Sequence, residues 1–128
     1  QIVSICLTNF IRRGGKMKLS DLAKKTGCEI LTGNVNLDKD IEDGYVSDLL
    51  SDVIGNIKEN SVWITIQRHM NILGVAKLKD VAAILIPRNL QLEDSMIEKA
   101  SEERIAILRN PRSAFELAGL IYNLLQKG

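Results

Sequence analysis

SVWITIQRHMNILGVAKLKDVAAILIPRN, from Ser61 to Asn89, decides the fold. Its first six residues are β-branched or aromatic with a single serine, and Asn60 and the polar QRH bound them, which predicts a strand. HMNILGVAKL then places Ile72, Leu73 and Ala76 on one helical face. VAAILI follows as a second continuous apolar run, and Pro87 stops it. Strands that are apolar on both faces are covered on both faces, so this stretch predicts a parallel sheet with helices packed on either side.

The same alternation continues outward in both directions. Upstream, LSDLAKKTG reads as a short helix with Ser20 at the N-cap and Gly27 just past its end. CEIL is a brief strand candidate, TGNVNLDKD is turn-rich, and IEDGYV reads as a strand with a polar kink at Asp43 and Gly44. DLLSDVIGNI is a helix that Ser47 would cap. Downstream, LEDSMIEKASEE is a helix with an acidic outer face, IAIL a short strand, and SAFELAGLIYNLL an amphipathic helix behind Pro111. The expectation is a three-layer α/β/α sandwich with a mostly parallel sheet of about five strands.

With 128 residues the chain has the size of one domain. Residues 17–128 are read as that domain. Residues 1–16 read either as a translated leader ahead of Met17, since RRGGK could encode a purine-rich ribosome-binding site, or as an edge strand or helix at Ile2 to Ile11. Seventeen basic and 16 acidic residues nearly cancel, so the broad basic field that phosphate backbones require is missing, and 4% aromatic residues leave few stacking platforms. Nucleic acid is therefore not an expected partner. Cys6 and Cys28 are too few for a disulfide framework and too far apart for a metal knuckle, which points to reduced thiols and a cytoplasmic location. No apolar run approaches the about 18 residues that a membrane helix needs, so no membrane association is expected.

Motifs of known chemistry are mostly absent. There is no phosphate-binding GxxxxGK[ST] loop, no GxGxxG turn, no GxSxG elbow and no second histidine for an HExxH site. No catalytic residue, metal site or cofactor is assigned. Asp48 and Asp52 are spaced to share a helix face, with Asp48 expected in a first turn that the helix dipole favours and Asp52 solvated. Tyr45 is read as pointing into the core. In open α/β sheets ligands bind beyond the carboxyl ends of strands. Gln67, Arg68, His69 and Asn71 occupy that position after SVWITI, Pro87, Arg88 and Asn89 after VAAILI, and Asn110 and Arg112 after IAIL. Arg68, Arg88 and Arg112 could together hold an anion such as phosphate, while the plainer reading is that loops at strand ends are polar anyway.

Together with YVSDLLSDV before it and SAFELAGLIYNL after it, the Ser61 to Asn89 stretch resembles the DRTGG domain, and especially small free-standing DRTGG proteins often encoded near iron-hydrogenase genes. The similarity runs from about Met17 to Leu125. It implies a regulatory or ligand-sensing α/β domain, similar in fold to the amino-terminal domain of HPr kinase. The Asp-Arg of the family signature falls near Gln67 and Arg68 and its Thr-Gly-Gly near Pro87, Arg88 and Asn89, so the chain keeps only the arginine. Gln67-x-His69-x-Asn71 resembles the pattern of the free-standing branch.

Three functions follow as expectations. The first is a non-catalytic regulatory or accessory domain that binds a small anionic, nucleotide-like ligand around Gln67, Arg68, His69, Asn71, Arg88, Asn89 and Arg112. The second is an interaction module, a homodimer or an accessory subunit of a redox enzyme of hydrogenase type, for which exposed Leu120, Ile121 and Leu124 would speak. The third, an enzyme with His69 as general base near Asp48, has an incomplete constellation.

Overall fold

The computed structural model describes residues 15–127, so the reading of the opening segment lies almost wholly outside the described residues. Seven strands and five helices follow one another: β1 Met17–Lys18, α1 Leu19–Thr26, β2 Glu29–Ile30, β3 Asp40–Ile41, β4 Asp43–Val46, α2 Leu50–Asn56, β5 Ser61–Ile64, α3 Asn71–Leu78, β6 Ala83–Ile86, α4 Asp94–Glu102, β7 Ile107–Arg109 and α5 Ala114–Lys127. Five strands form the main sheet in the order β2-β7-β6-β5-β4, and β1 and β3 form a separate two-stranded ribbon. Strands β4 to β7 are mutually parallel, and β2 closes one edge antiparallel to β7.

Each parallel strand lies beside its predecessor in the chain. Three right-handed crossovers in one direction therefore set α2, α3 and α4 on a single face. Val53, Ile72, Leu73, Met96 and Ala100 from those helices pack there on Trp63, Ile84, Ile86 and Ile107. After β7 the chain passes to the opposite face, where α5 lies against β4 and α1. Leu19, Leu22, Leu117, Ile121 and Leu125 cover Val62, Ile64, Leu85 and Leu108 on that side. All four residues of β6 are fully buried. Burying each of its large side chains contributes about 1.5–3 kcal/mol.

Several local expectations are corrected. Helix α1 starts at Leu19, so Ser20 lies inside it. Its first amides are satisfied from elsewhere, Leu19 N donating to the Lys39 carbonyl at 2.9 Å and Ser20 N to the Leu37 carbonyl at 3.0 Å. At its other end Gly27 adopts φ 70°, the left-handed cap the sequence indicated. Asp43 and Gly44 sit within β4, and the break in that region falls at Glu42, between the ribbon and the main sheet. Helix α2 begins only at Leu50, with Leu49 at the cap position; Ser47 Oγ accepts the Leu49 amide at 3.3 Å. The chain stays extended through Ser47 because the buried Trp63 donates its Nε1 to the Ser47 carbonyl at 2.9 Å.

Candidate functional site

The carboxyl ends of β4 to β7 form one rim. The loop after β6 leads to α4 on one face, whereas the loop after β7 leads to α5 on the other. Chain directions thus part between β6 and β7, the location where open sheets usually offer a ligand crevice.

Here the two loops are bound together. Arg88 N donates to the Arg112 carbonyl at 2.9 Å, and Asn89 N donates to the Asn110 carbonyl at 3.0 Å. Arg88 (φ 57°) and Asn89 (φ 51°) are both left-handed, and Leu90 N closes onto the Pro87 carbonyl at 3.2 Å. This is the φ pattern of a type I′ turn, which glycine adopts most easily.

Asn110 organises this end of the rim. It is fully buried. Its Nδ2 donates to the Thr26 carbonyl at 2.9 Å and its Oδ1 accepts the Arg112 amide at 3.0 Å. One Arg112 guanidinium nitrogen reaches the same Thr26 carbonyl at 2.9 Å. Arg68 crosses from the β5 loop to the Gln91 carbonyl at 3.0 Å. Among the described residues none of Arg68, Arg88 and Arg112 has a carboxylate within ion-pair distance, whereas Arg109, on the strand itself, is paired with Glu29 at 3.0 Å.

On the β4 and β5 side the polar groups are spent on one another. Asp48 Oδ1 accepts both the Thr65 hydroxyl and the Ile66 amide at 2.8 Å, and Gln67 Nε2 donates to the Asp48 carbonyl at 3.1 Å. Asp48 therefore clamps two loops together and is not in a helix first turn. Asp52 is not simply solvated either: it accepts the Tyr45 hydroxyl at 2.8 Å and the Asn56 amide at 3.0 Å. That bond holds the Asp52 carboxyl below the ordinary range and pushes the Tyr45 phenol above its own. Tyr45 is half-buried, its ring packed beside the core and its hydroxyl directed outward.

His69 is exposed, and its Nδ1 accepts the Asn71 amide at 3.3 Å. It thus satisfies an otherwise orphan N–H at the start of α3. No hydrogen bond joins it to Asp48 among the described residues, so the acid–base pair considered for catalysis is not assembled. Sequence reasoning left Asp48, Thr65 and Thr26 out of the rim. Asn110 was placed at the strand end by the sequence, but its burial and its bonds to Thr26 and Arg112 were not readable there.

Two concavities lie away from the arginines. A groove of about 130 Å³ runs between β4 and α5, lined by Gly44, Val46, Ile64, Ala118, Ile121 and Tyr122 among others. A more polar hollow of about 200 Å³ lies at the amino ends of β6 and β7. Lys39–Asp80 at 2.9 Å and Lys77–Glu103 at 2.6 Å bridge its walls. Among the residues proposed for a docking face, Ile121 is buried; the exposed apolar groups of α5 are Phe115 and Tyr122. The described residues contain no group of three metal-ligating side chains and no helix long and apolar enough to cross a membrane.

No family model matches the chain, and no curated protein matches it in sequence. Among solved structures it is similar to the CBS and DRTGG domains of the regulatory region of Clostridium perfringens pyrophosphatase, complexed with the activator diadenosine tetraphosphate. The TM-score is 0.66 at 15% identity, over 82% of this chain and 46% of that one. The fold is one found in that regulatory region. This chain spans a little under half of the matched structure, and the DRTGG resemblance drawn from its sequence agrees with the match in fold.

Proposed function

We propose that this chain is a non-catalytic regulatory or accessory domain that binds a small anionic, nucleotide-like ligand at the carboxyl ends of its parallel strands. Gln67, Arg68, His69, Asn71, Arg88, Asn89 and Arg112 surround the site. The observation that carries the reading is the trio of guanidiniums on adjoining loops, none with a carboxylate partner among the described residues. A guanidinium fork matches phosphate oxygens two at a time, and Arg68 and Arg112, each with one nitrogen on a backbone carbonyl, keep further N–H donors for an anion. The pyrophosphatase region of like fold has a dinucleotide activator, which agrees in ligand class.

Arg88→Gly gives the cleanest test, because glycine suits the left-handed φ of 57° while removing the guanidinium. The free variant should melt at or above the wild-type temperature. Pyrophosphate, ATP and diadenosine tetraphosphate at low salt should raise the wild-type Tm, and the rise should shrink in Arg88→Gly and in Arg112→Ala. No rise with any of the three, or a rise unchanged in both variants, overturns the reading.

A second reading, an interaction module acting as a homodimer, draws on Phe115, which is 88% exposed. Sedimentation velocity over a concentration series, repeated with Phe115→Ser, tests it; a monomer at every concentration rejects it.

A further inference from the structure

Asp48 holds the β5 loop with one carboxylate oxygen and keeps the other outside that clamp. Oδ1 accepts both the Thr65 hydroxyl and the Ile66 amide at 2.8 Å, and Thr65 Oγ1 in turn accepts the Gln67 amide at 3.1 Å. Asp48 is exposed, and among the described residues its Oδ2 has no hydrogen bond and its carboxylate has no cation within ion-pair distance. Gln67 is fixed in the same manner. Its Nε2 donates to the Asp48 carbonyl at 3.1 Å, and because a carbonyl can only accept, the amide atom left over is the acceptor Oε1. Two acceptors on adjoining loops are thus held in place, each by a bond made through the other polar atom of its own side chain.

The cations of the rim stand close by without cancelling this charge. Arg68 follows Ile66 by two residues, at most about 7 Å of backbone, yet its guanidinium bonds to the Gln91 carbonyl at 3.0 Å. Arg88 follows β6, the strand beside β5, about 4.8 Å further along the sheet. A ligand that meets both sets of groups must accept hydrogen bonds at an anionic end and donate two at the other. An ammonium would also suit Asp48, but the neighbouring guanidiniums repel a cation, whereas neutral hydroxyls carry no such cost.

We infer that Asp48 Oδ2 and Gln67 Oε1 receive the two hydroxyls of a vicinal diol, so that Asp48 is a specificity-determining residue and the ligand is a phosphorylated sugar, with a ribonucleotide as the form that suits the reading above. The inference rests on that anion-binding reading and adds the sugar to it. A carboxylate accepting a ribose hydroxyl is a strong, charge-assisted bond, and dinucleotide-binding folds select ribose by the same pairing.

Binding is followed by amide shifts of the isotope-labelled full chain at low salt, with AMP, 2′,3′-dideoxy-AMP, ribose 5-phosphate and pyrophosphate as probes. AMP should bind about tenfold or more tighter than its dideoxy analogue, and it should move the Ile66 and Gln67 amides while the analogue does not. Asp48→Asn keeps an oxygen for Thr65 and Ile66 and turns the outward acceptor into a donor. In that variant the preference for the diol should shrink to within about twofold, while pyrophosphate should bind about twofold tighter because a negative charge has left the rim. A purely structural role for Asp48 would weaken both ligands together. Gln67→Met, which keeps the length of the side chain without its acceptor, should also shrink the preference and gives the answer should Asp48→Asn fail to fold.

If the dideoxy analogue binds as tightly as AMP while pyrophosphate binds, the diol site is overturned and the anion reading stands. If the preference for AMP survives unchanged in both variants, Asp48 and Gln67 are overturned as its source. Ribose 5-phosphate binding as tightly as AMP supports the diol site with a sugar phosphate as its occupant, and weaker binding supports it with a nucleotide. If none of the four probes binds, the anion reading fails and this inference fails with it.

Discussion

The hydroxyl of Thr65 donates to the carboxylate of Asp48 at 2.8 Å, across 17 residues of chain, and the neighbouring Ile66 amide donates to the same oxygen. Thr65 is buried, so its hydroxyl has no ready water to replace that partner. The clamp joins the loop after β4 to the loop after β5, and the β5 loop carries Gln67 and His69.

Asp48→Ala should therefore destabilise the protein by about 1–2 kcal/mol, the range for losing charge-assisted hydrogen bonds at a site still reached by solvent. Asp48→Asn keeps an acceptor in place and should lose less. Urea denaturation measures both, with an unchanged m-value expected. If Asp48→Ala is as stable as wild type, the clamp is ornamental and the β5 loop is positioned by the sheet alone.

The Tyr45–Asp52 bond gives a pH signature with a definite sign. The folded state lowers the Asp52 pKa, so this contribution is present above the ordinary carboxyl value of about 3.9 and fades as pH falls through the lowered one. The folded state raises the Tyr45 pKa, so its share is present below about 10 and fades as pH rises through the raised value. Tyr45→Phe should lower Tm by a few degrees on the plateau between those limits. The gap between variant and wild type should narrow on the acid side below about pH 4 and on the alkaline side above about pH 10. Thermal melts of the pair across pH check it, and a gap that stays constant through both limits would show that the bond does not stabilise the fold.

Much of this architecture was readable because it is written in local composition. SVWITI and VAAILI are almost wholly apolar, as strands covered by helices on both faces are, and each contains a strand of the sheet. The rim residues were legible for the same reason, since the polar residue after an apolar run marks a strand's carboxyl end. What escaped reading depends on partners distant in sequence. The amides that start α1 are satisfied by the 37–39 loop, which no local pattern at Ser20 records. Asp48 and Asp52 have helical spacing, but Asp48 lies at a bend ahead of α2, where Thr65 and Ile66 take its carboxylate. The β4–α5 groove exists only because the last helix returns beneath the first parallel strand.

Asn110 provides the sharpest contrast between two residues that share an acceptor. Both it and Arg112 donate to the Thr26 carbonyl at 2.9 Å, but Asn110 is fully buried and also receives the Arg112 amide, whereas Arg112 is exposed. Asn110→Ala removes a donor and an acceptor together from a place with no solvent to replace them, and should cost about 2–4 kcal/mol from orphaned groups and lost packing. Arg112→Ala leaves Thr26 with its buried partner and should cost under about 1 kcal/mol. Hydrogen exchange adds a local readout: in Asn110→Ala the amides of Arg88, Asn89 and Arg112 should lose protection ahead of the β5 and β6 core, because the loops on either side of the β6–β7 divide depend on this one side chain. Equal costs for the two variants would mean that the Thr26 carbonyl, and not the buried amide, sets the stability of this part of the rim.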